Sequence, residues 1–163
     1  EALRALETLQ AALSDAVLLV AVRFVSNLSG GNLAPWLRRP GVRTLPFLAE
    51  PDFATAAAAC TACLNLRVPS AGETSGIGIR AMGLGCAVVY TEGAEVSGFP
   101  PDTCVRIPGD AGEVPSLIET LRLLASRPSV AREIGRRGRE WIRRHHSPAL
   151  AAKRYAAVLA SAL

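Results

Sequence analysis

Five short apolar runs alternate with segments of helical pattern, and this alternation restricts the fold more than any other feature of the sequence. The runs are Ala16–Val22 (AVLLVAV), Val42–Phe47, Cys63–Leu66 (CLNL), Ala87–Thr91 (AVVYT) and Cys104–Ile107. Several are apolar at every position rather than at every second one, as a strand requires when helices cover both of its faces. Buried strands alternating with helices define an α/β domain with a mostly parallel sheet. In such sheets ligands bind at the carboxyl ends of the strands, in the loops that lead into helices.

The helical segments have their own signals. Leu3, Leu6, Leu9 and Leu13 recur at helical spacing, and Ser14-Asp15 ends that helix. A polar loop with Gly30-Gly31 precedes a short amphipathic piece at Leu33, Trp36 and Leu37, and Pro40-Gly41 marks a turn. A helix is predicted from Phe53 to Thr61, with Asp52 as its N-cap. Another runs from Gly76 to Leu84 and is closed by Gly85. From Glu113 the chain is helical in three pieces: Val114–Ser126, Val130–Arg144 and Ala149–Leu163. Ser129 and Ser147 are the expected caps, with Pro128 and Pro148 as breaks.

The chain of 163 residues is 50% hydrophobic and 20% charged, which suits one packed domain. Its 18 basic against 14 acidic residues give a net charge of +4, too small an excess to mark a nucleic-acid binder. No apolar run is long enough to span a bilayer, and no signal segment opens the chain. Met82 is the only methionine, so Glu1 is not a translation start and a fragment or processed product is expected. Cys60 and Cys63 form a C-x-x-C without a second pair at zinc-ribbon distance. With Cys86 and Cys104 they read as core thiols in a reducing compartment, which places the protein in the cytoplasm.

The chemistry concentrates between Leu66 and Gly85 (LRVPSAGETSGIGIRAMGLG). There a strand ends, and a loop with one acid and two hydroxyls leads into a helix. The start of that helix offers unpaired N–H groups and a partial positive charge, which suit a phosphate. Thr74 and Ser75 can cap it or donate to phosphate oxygens, and Gly76 lets a ligand approach the backbone. Gly78 lies inside the helix at a cost of about 1 kcal/mol relative to alanine, which implies close packing. Glu73 stands where it would face ligand hydroxyls. The plain alternative is a well-capped helix beside a solvated acid, and the loop matches neither G-x-G-x-x-G nor a P-loop.

The run CLNLRVPSAGETSGIGIRAMGLGCAVVYTEGAE resembles the donor-binding segment of GT-B glycosyltransferases of the "glycosyl transferases, group 1" (family 4) type. That segment consists of a strand, a loop with an E-G-F-G-like element, a helix ending in E-A-M-A or R-A-M-G, a strand, and a turn closing on a small residue plus Glu. Upstream, LPFLAEPDFATAAAACTACLNLR resembles the family's G-F-V-x-x-x-x-F segment, and residues 105–159 resemble its terminal helices.

The resemblance implies that residues 1–163 form a Rossmann-like domain that binds a nucleotide-sugar, with C-terminal helices over 113–163. Gly72, Glu73, Thr74, Ser75 and Gly76 would hold the donor sugar and pyrophosphate, with Glu73 the candidate catalytic acid. Phe47 and Leu48 would meet the base. Arg80 stands where the last acid of the family's E-x7-E pattern grips the ribose, and Glu73 precedes it by seven residues rather than eight. A branch of the family carries arginine there. The resemblance implies retaining transfer without a cofactor and without a metal, and the absence of a D-x-D pair gives no sign of a metal-bridged diphosphate. The expected partners are the donor and an N-terminal GT-B domain with the acceptor site, neither being nucleic acid.

The resemblance also implies the strand order 3-2-1-4-5-6, in which the family's central first strand has no counterpart here. Either another segment fills that slot, from a further part of the protein or from a neighbouring chain, or the strands at Ala16–Val22 and Cys63–Leu66 close up and pair. Two other readings compete: a non-catalytic GT-B-like binding domain, supported by Arg80, and a flavodoxin-like or receiver-like domain. His145 and His146 have no nucleophile or acid placed to join them. The arginines from Arg132 to Arg144 read as a solvated basic face, with peripheral contact to an anionic membrane as the alternative.

Overall fold

Each of the five apolar runs contributes a strand, and every strand pairing is parallel. The computed structural model describes residues 2–13, 15–21, 34–67 and 72–161. In chain order the elements are α1 (Ala2–Ala12), β1 (Leu18–Ala21), α2 (Ala34–Leu37), β2 (Val42–Leu45), α3 (Glu50–Ala59) and β3 (Cys63–Asn65). They continue with α4 (Gly76–Leu84), β4 (Val88–Thr91), a single 3-10 turn at Ala94–Val96 and β5 (Val105–Ile107). Three helices close the chain: α5 (Glu113–Ser126), α6 (Pro128–His145) and α7 (Pro148–Ser161). The Gly30-Gly31 loop lies outside the described residues.

β4 is the centre of the domain, with all four of its residues buried. Val88 and Tyr90 face a layer built from Ala57 of α3, Met82 of α4 and Ile142 of α6, with Phe99 and Cys104 between them. Ala87 and Val89 face the opposite layer, where Leu117 and Leu124 of α5 meet Ala5 of α1. Helices on both faces explain why AVVYT shows no alternation of polarity.

The strands form two sheets, β1–β2 and β3–β4–β5. The pairings follow the expected order around the central place, and the closing-up of β1 on β3, one of the two expected outcomes, does not occur. Among the described residues no strand fills that place, and β1 does not pair with β3. Leu18 N–H donates to Gly41 O and Cys63 N–H to Ala87 O, both at 2.8 Å, so these residues face their own sheets. Alternation along a parallel ladder turns the amides of Leu19, Ala21, Leu64 and Leu66 toward the open edges. α1 links the two sheets by packing against α5, with Ala5, Leu6 and Leu9 buried.

Two predicted caps fall elsewhere. α3 starts at Glu50, so Asp52 lies in its first turn, and the N-cap is Ala49 without a side-chain hydrogen bond. Pro51 permits that early start, because the first turn has no use for its missing N–H. For the same reason Pro128 opens α6 instead of preceding it, and Arg127, not Ser129, is the N-cap. Ser147 does cap α7, with its Oγ 3.2 Å from Leu150 N.

Two glycines allow close approach. A Cβ at Gly78 would overlap the Tyr90 hydroxyl, and one at Gly135 would overlap the Gly85 carbonyl. α4 therefore sits directly on β4, and α6 directly on the end of α4.

Candidate functional site

The loop from β3 to α4 lies at the carboxyl end of β3. Its last residues before α4 are held by three polar contacts that start from the strand. Asn65 Nδ2 donates to Ser75 Oγ at 2.7 Å, and the same oxygen accepts from Gly78 N at 3.2 Å. Of the two residues expected to cap α4 or to donate to a phosphate, Ser75 is thus the N-cap, and it is itself tied to β3. Arg67 reaches forward to Glu73, pairing with its carboxylate and donating from Nη1 to its backbone carbonyl at 2.9 Å. Thr74 Oγ1 lies 3.4 Å from Glu95 O.

Around this frame the site is open. Gly72 has φ +88°, a left-handed conformation that favours glycine. A Cβ on Gly72 or Gly76 would meet nothing within 4 Å. The amides of Gly76 and Ile77 are first-turn groups that need a partner from outside the helix. The arrangement therefore offers N–H donors at a helix start, a fixed carboxylate and room for a ligand against the backbone.

A deeper layer supports the loop. Arg67 N–H donates to Thr91 Oγ1 at 3.0 Å, and the Thr91 hydroxyl donates to Glu113 Oε1 at 3.0 Å. Glu113 is 6% exposed, in the first turn of α5, where the helix dipole favours its charge. Sequence reasoning missed Asn65, Arg67, Thr91 and Glu113 as parts of the site. The first two end a strand at the expected ligand edge, which was the available signal, whereas the Thr91–Glu113 contact joins elements remote in sequence.

The other expected site residues lie apart from this frame. Arg80 pairs with Glu50 of α3 and stands over the Phe53 ring, 4.4 Å from its centroid. Phe47 is 72% exposed and Leu48 is half-buried, in the loop after β2. Both strand ends carry a loop at the carboxyl edge of their own sheet.

The basic helix is largely solvated. Arg136 pairs with Glu133 and Glu140, and Arg137 with Glu133 and Asp102. His145 stacks on Trp141 at 4.8 Å, and His146 packs against Trp141 and Phe99. No group of three metal-ligating side chains occurs among the described residues, and no described helix is long and apolar enough to cross a membrane.

These elements define an α/β domain of the Rossmann-like type found as one half of GT-B proteins. A sucrose-phosphate synthase from Thermosynechococcus elongatus has this fold, with a TM-score of 0.71 and 20% sequence identity. The match covers 100% of the present chain and 44% of that protein, so the chain spans less than half of its length. At this identity the likeness concerns the fold alone. No family model and no curated protein matches the sequence.

Proposed function

We propose that the chain is the nucleotide-sugar-binding half of a retaining glycosyltransferase. The observation that carries this reading is the β3–α4 loop, where a capped helix start, an anchored acid and two uncrowded glycines meet at the ligand edge of a GT-B-type sheet. The amides of Gly76 and Ile77 would receive the diphosphate, and Glu73 would bind sugar hydroxyls. Arg67 orients Glu73 and adds positive charge close to the leaving group.

The chemistry then rests on positioning and electrostatics. The departing diphosphate takes the acceptor proton on the same face, and the helix start stabilises the charge that develops on it. No metal is needed in this scheme, and the acceptor would sit on a separate N-terminal domain. Calorimetric titration with UDP-, GDP- and ADP-sugars tests the reading. One donor should bind with micromolar affinity and lose it on Gly76→Val, whereas no binding by any of them in the intact enzyme would sink it.

One observation favours a second reading, a non-catalytic binding domain. Arg80 is committed to Glu50 and Phe53, so the ribose-gripping acid of the family pattern has no stand-in there. Donor binding without transfer in the intact protein would decide for that alternative.

A further inference from the structure

β3 leaves its ladder with β4 through a side chain. Cys63 N–H donates to Ala87 O, and Asn65 lies opposite Tyr90. With the two-residue step of a parallel ladder, the next amide to face β4 is that of Arg67, and the next carbonyl in line for it is that of Thr91. Arg67 N–H instead donates to the Thr91 side chain, 3.0 Å from Oγ1. A hydroxyl takes the place of the carbonyl, and the chain turns out of the sheet at that point.

The hydroxyl has a fixed direction. Thr91 donates its one hydroxyl hydrogen to Glu113 Oε1 at 3.0 Å, which leaves only lone pairs for Arg67. Both side chains lie inside the domain, with Thr91 4% and Glu113 6% exposed. Packing alone gives no reason for an acid in this place, because an apolar side chain of similar size would avoid the cost of burying a carboxylate. What the acid supplies is a hydrogen-bonded chain of one polarity, from Arg67 N–H through Thr91 to Glu113.

Arg67 carries that order to the loop. The residue whose amide is held by Thr91 also pairs with the Glu73 carboxylate, and its Nη1 donates to the Glu73 carbonyl at 2.9 Å. Four segments remote in sequence are thus joined in series: the start of α5, the end of β4, the exit of β3 and the loop ahead of α4.

We propose that Thr91 and Glu113 are positioning residues for Glu73, acting through Arg67. Glu113 sets the orientation of the Thr91 hydroxyl, the hydroxyl sets where Arg67 leaves the sheet, and Arg67 sets where the Glu73 carboxylate stands. The effect on sugar transfer rests on the donor-site reading, whereas the effect on Arg67 rests on this geometry alone.

The paired substitution Thr91→Val with Glu113→Leu removes hydroxyl and carboxylate together, so no acid is left buried without its donor. In the full-length protein it should lower kcat/KM for the nucleotide-sugar about three- to fivefold and leave binding of the bare nucleoside diphosphate unchanged. Thr91→Ser and Glu113→Gln each keep the chain of hydrogen bonds and should keep full transfer. In a Glu73→Ala background the paired substitution should add nothing, because its route ends at Glu73. A full further loss in that background, or equal losses for sugar donor and diphosphate, would overturn the proposal. The guanidinium NMR signals of Arg67 read the same chain with no donor present. They should move on Glu73→Ala and on the paired substitution, and stay in place on Thr91→Ser. Signals unmoved by the paired substitution would overturn the proposal whether or not a donor binds. Failure of the unsubstituted protein to bind any nucleotide-sugar would instead remove the donor-site reading, with the Arg67 signals still deciding for or against the chain.

Discussion

Arg67 holds Glu73 at two points, the side-chain carboxylate and the backbone carbonyl, and so binds the end of β3 to the loop ahead of α4. Their side chains are 29% and 58% exposed, so the ion pair adds little to stability, on the order of 0.5 kcal/mol. Its effect is on geometry. Under the proposed function, Glu73→Ala in the full-length protein should lower sugar transfer at least about tenfold, or ~1.4 kcal/mol, and disturb binding of the bare nucleoside diphosphate much less. Arg67→Ala should show the same pattern more weakly, with its melting temperature nearly unchanged. Equal losses for sugar donor and diphosphate would remove Glu73 from its assigned role.

Ser75 joins Asn65 to the first turn of α4, so Ser75→Ala removes a cap and leaves the Asn65 amide without this partner. We expect a loss of about 1 kcal/mol by urea denaturation. A nucleoside diphosphate added to the unsubstituted protein should shift the amide NMR signals of Ser75 to Ile77. Shifts confined to Arg132–Arg144 would count against the donor site.

Gly76 and Gly78 make a matched pair of tests. Gly78→Ala drives a methyl into the Tyr90 hydroxyl and should cost about 1–3 kcal/mol, despite the better helix propensity of alanine. Gly76→Ala enters open space and should leave stability unchanged within about 0.5 kcal/mol while weakening donor binding. A destabilised Gly76→Ala would show that the loop is packed rather than open.

His146 gives the fold a pH dependence. Burial, with the charges of His145 and Arg154, holds its pKa below the ordinary 6.5, so the folded state resists its protonation. The unfolded chain then binds more protons as pH falls below 6.5, and stability declines in that window. Glu133, held down to about 2 by Arg136 and Arg137, adds an acid loss only below its ordinary 4.5. Chemical denaturation between pH 7 and pH 5 should therefore show a slope that His146→Gln removes. An unaltered slope would assign it to another group.

The open sheet edges should be visible in hydrogen exchange. Val89 and Tyr90, in a strand paired on both sides, should exchange slowly, whereas Leu64 and Leu19 should exchange faster by at least about a hundredfold. Equal protection would mean that the edges are covered in solution.

The strands were legible because both of their faces are covered, which leaves an unbroken apolar run in each. Helix starts were less so at Pro51 and Pro128, where proline reads as a break but fits a first turn. The acid and hydroxyls of the candidate loop stand out in sequence, and Ser75 caps as its position implied. What holds them did not stand out. Asn65 and Arg67 look like ordinary strand-end residues, and Thr91 meets Glu113 only because β4 and α5 are brought together by the fold. The gap between β1 and β3 follows from the resemblance, whereas the packing of α1 on α5, which ties the first helix to the second sheet, had no signal in the sequence.

The glycines that face α4 also limit how the domain can move. Gly135 rests on the Gly85 carbonyl and Gly138 on that of Thr103, with no side chain between to act as a bearing. Turning α6 about its axis by one residue would bring Arg136 or Arg139 onto those carbonyls. The helix therefore has one permitted rotation, and α4, α6 and the start of β5 must travel as a single piece. Any hinge within the domain has to lie outside that piece.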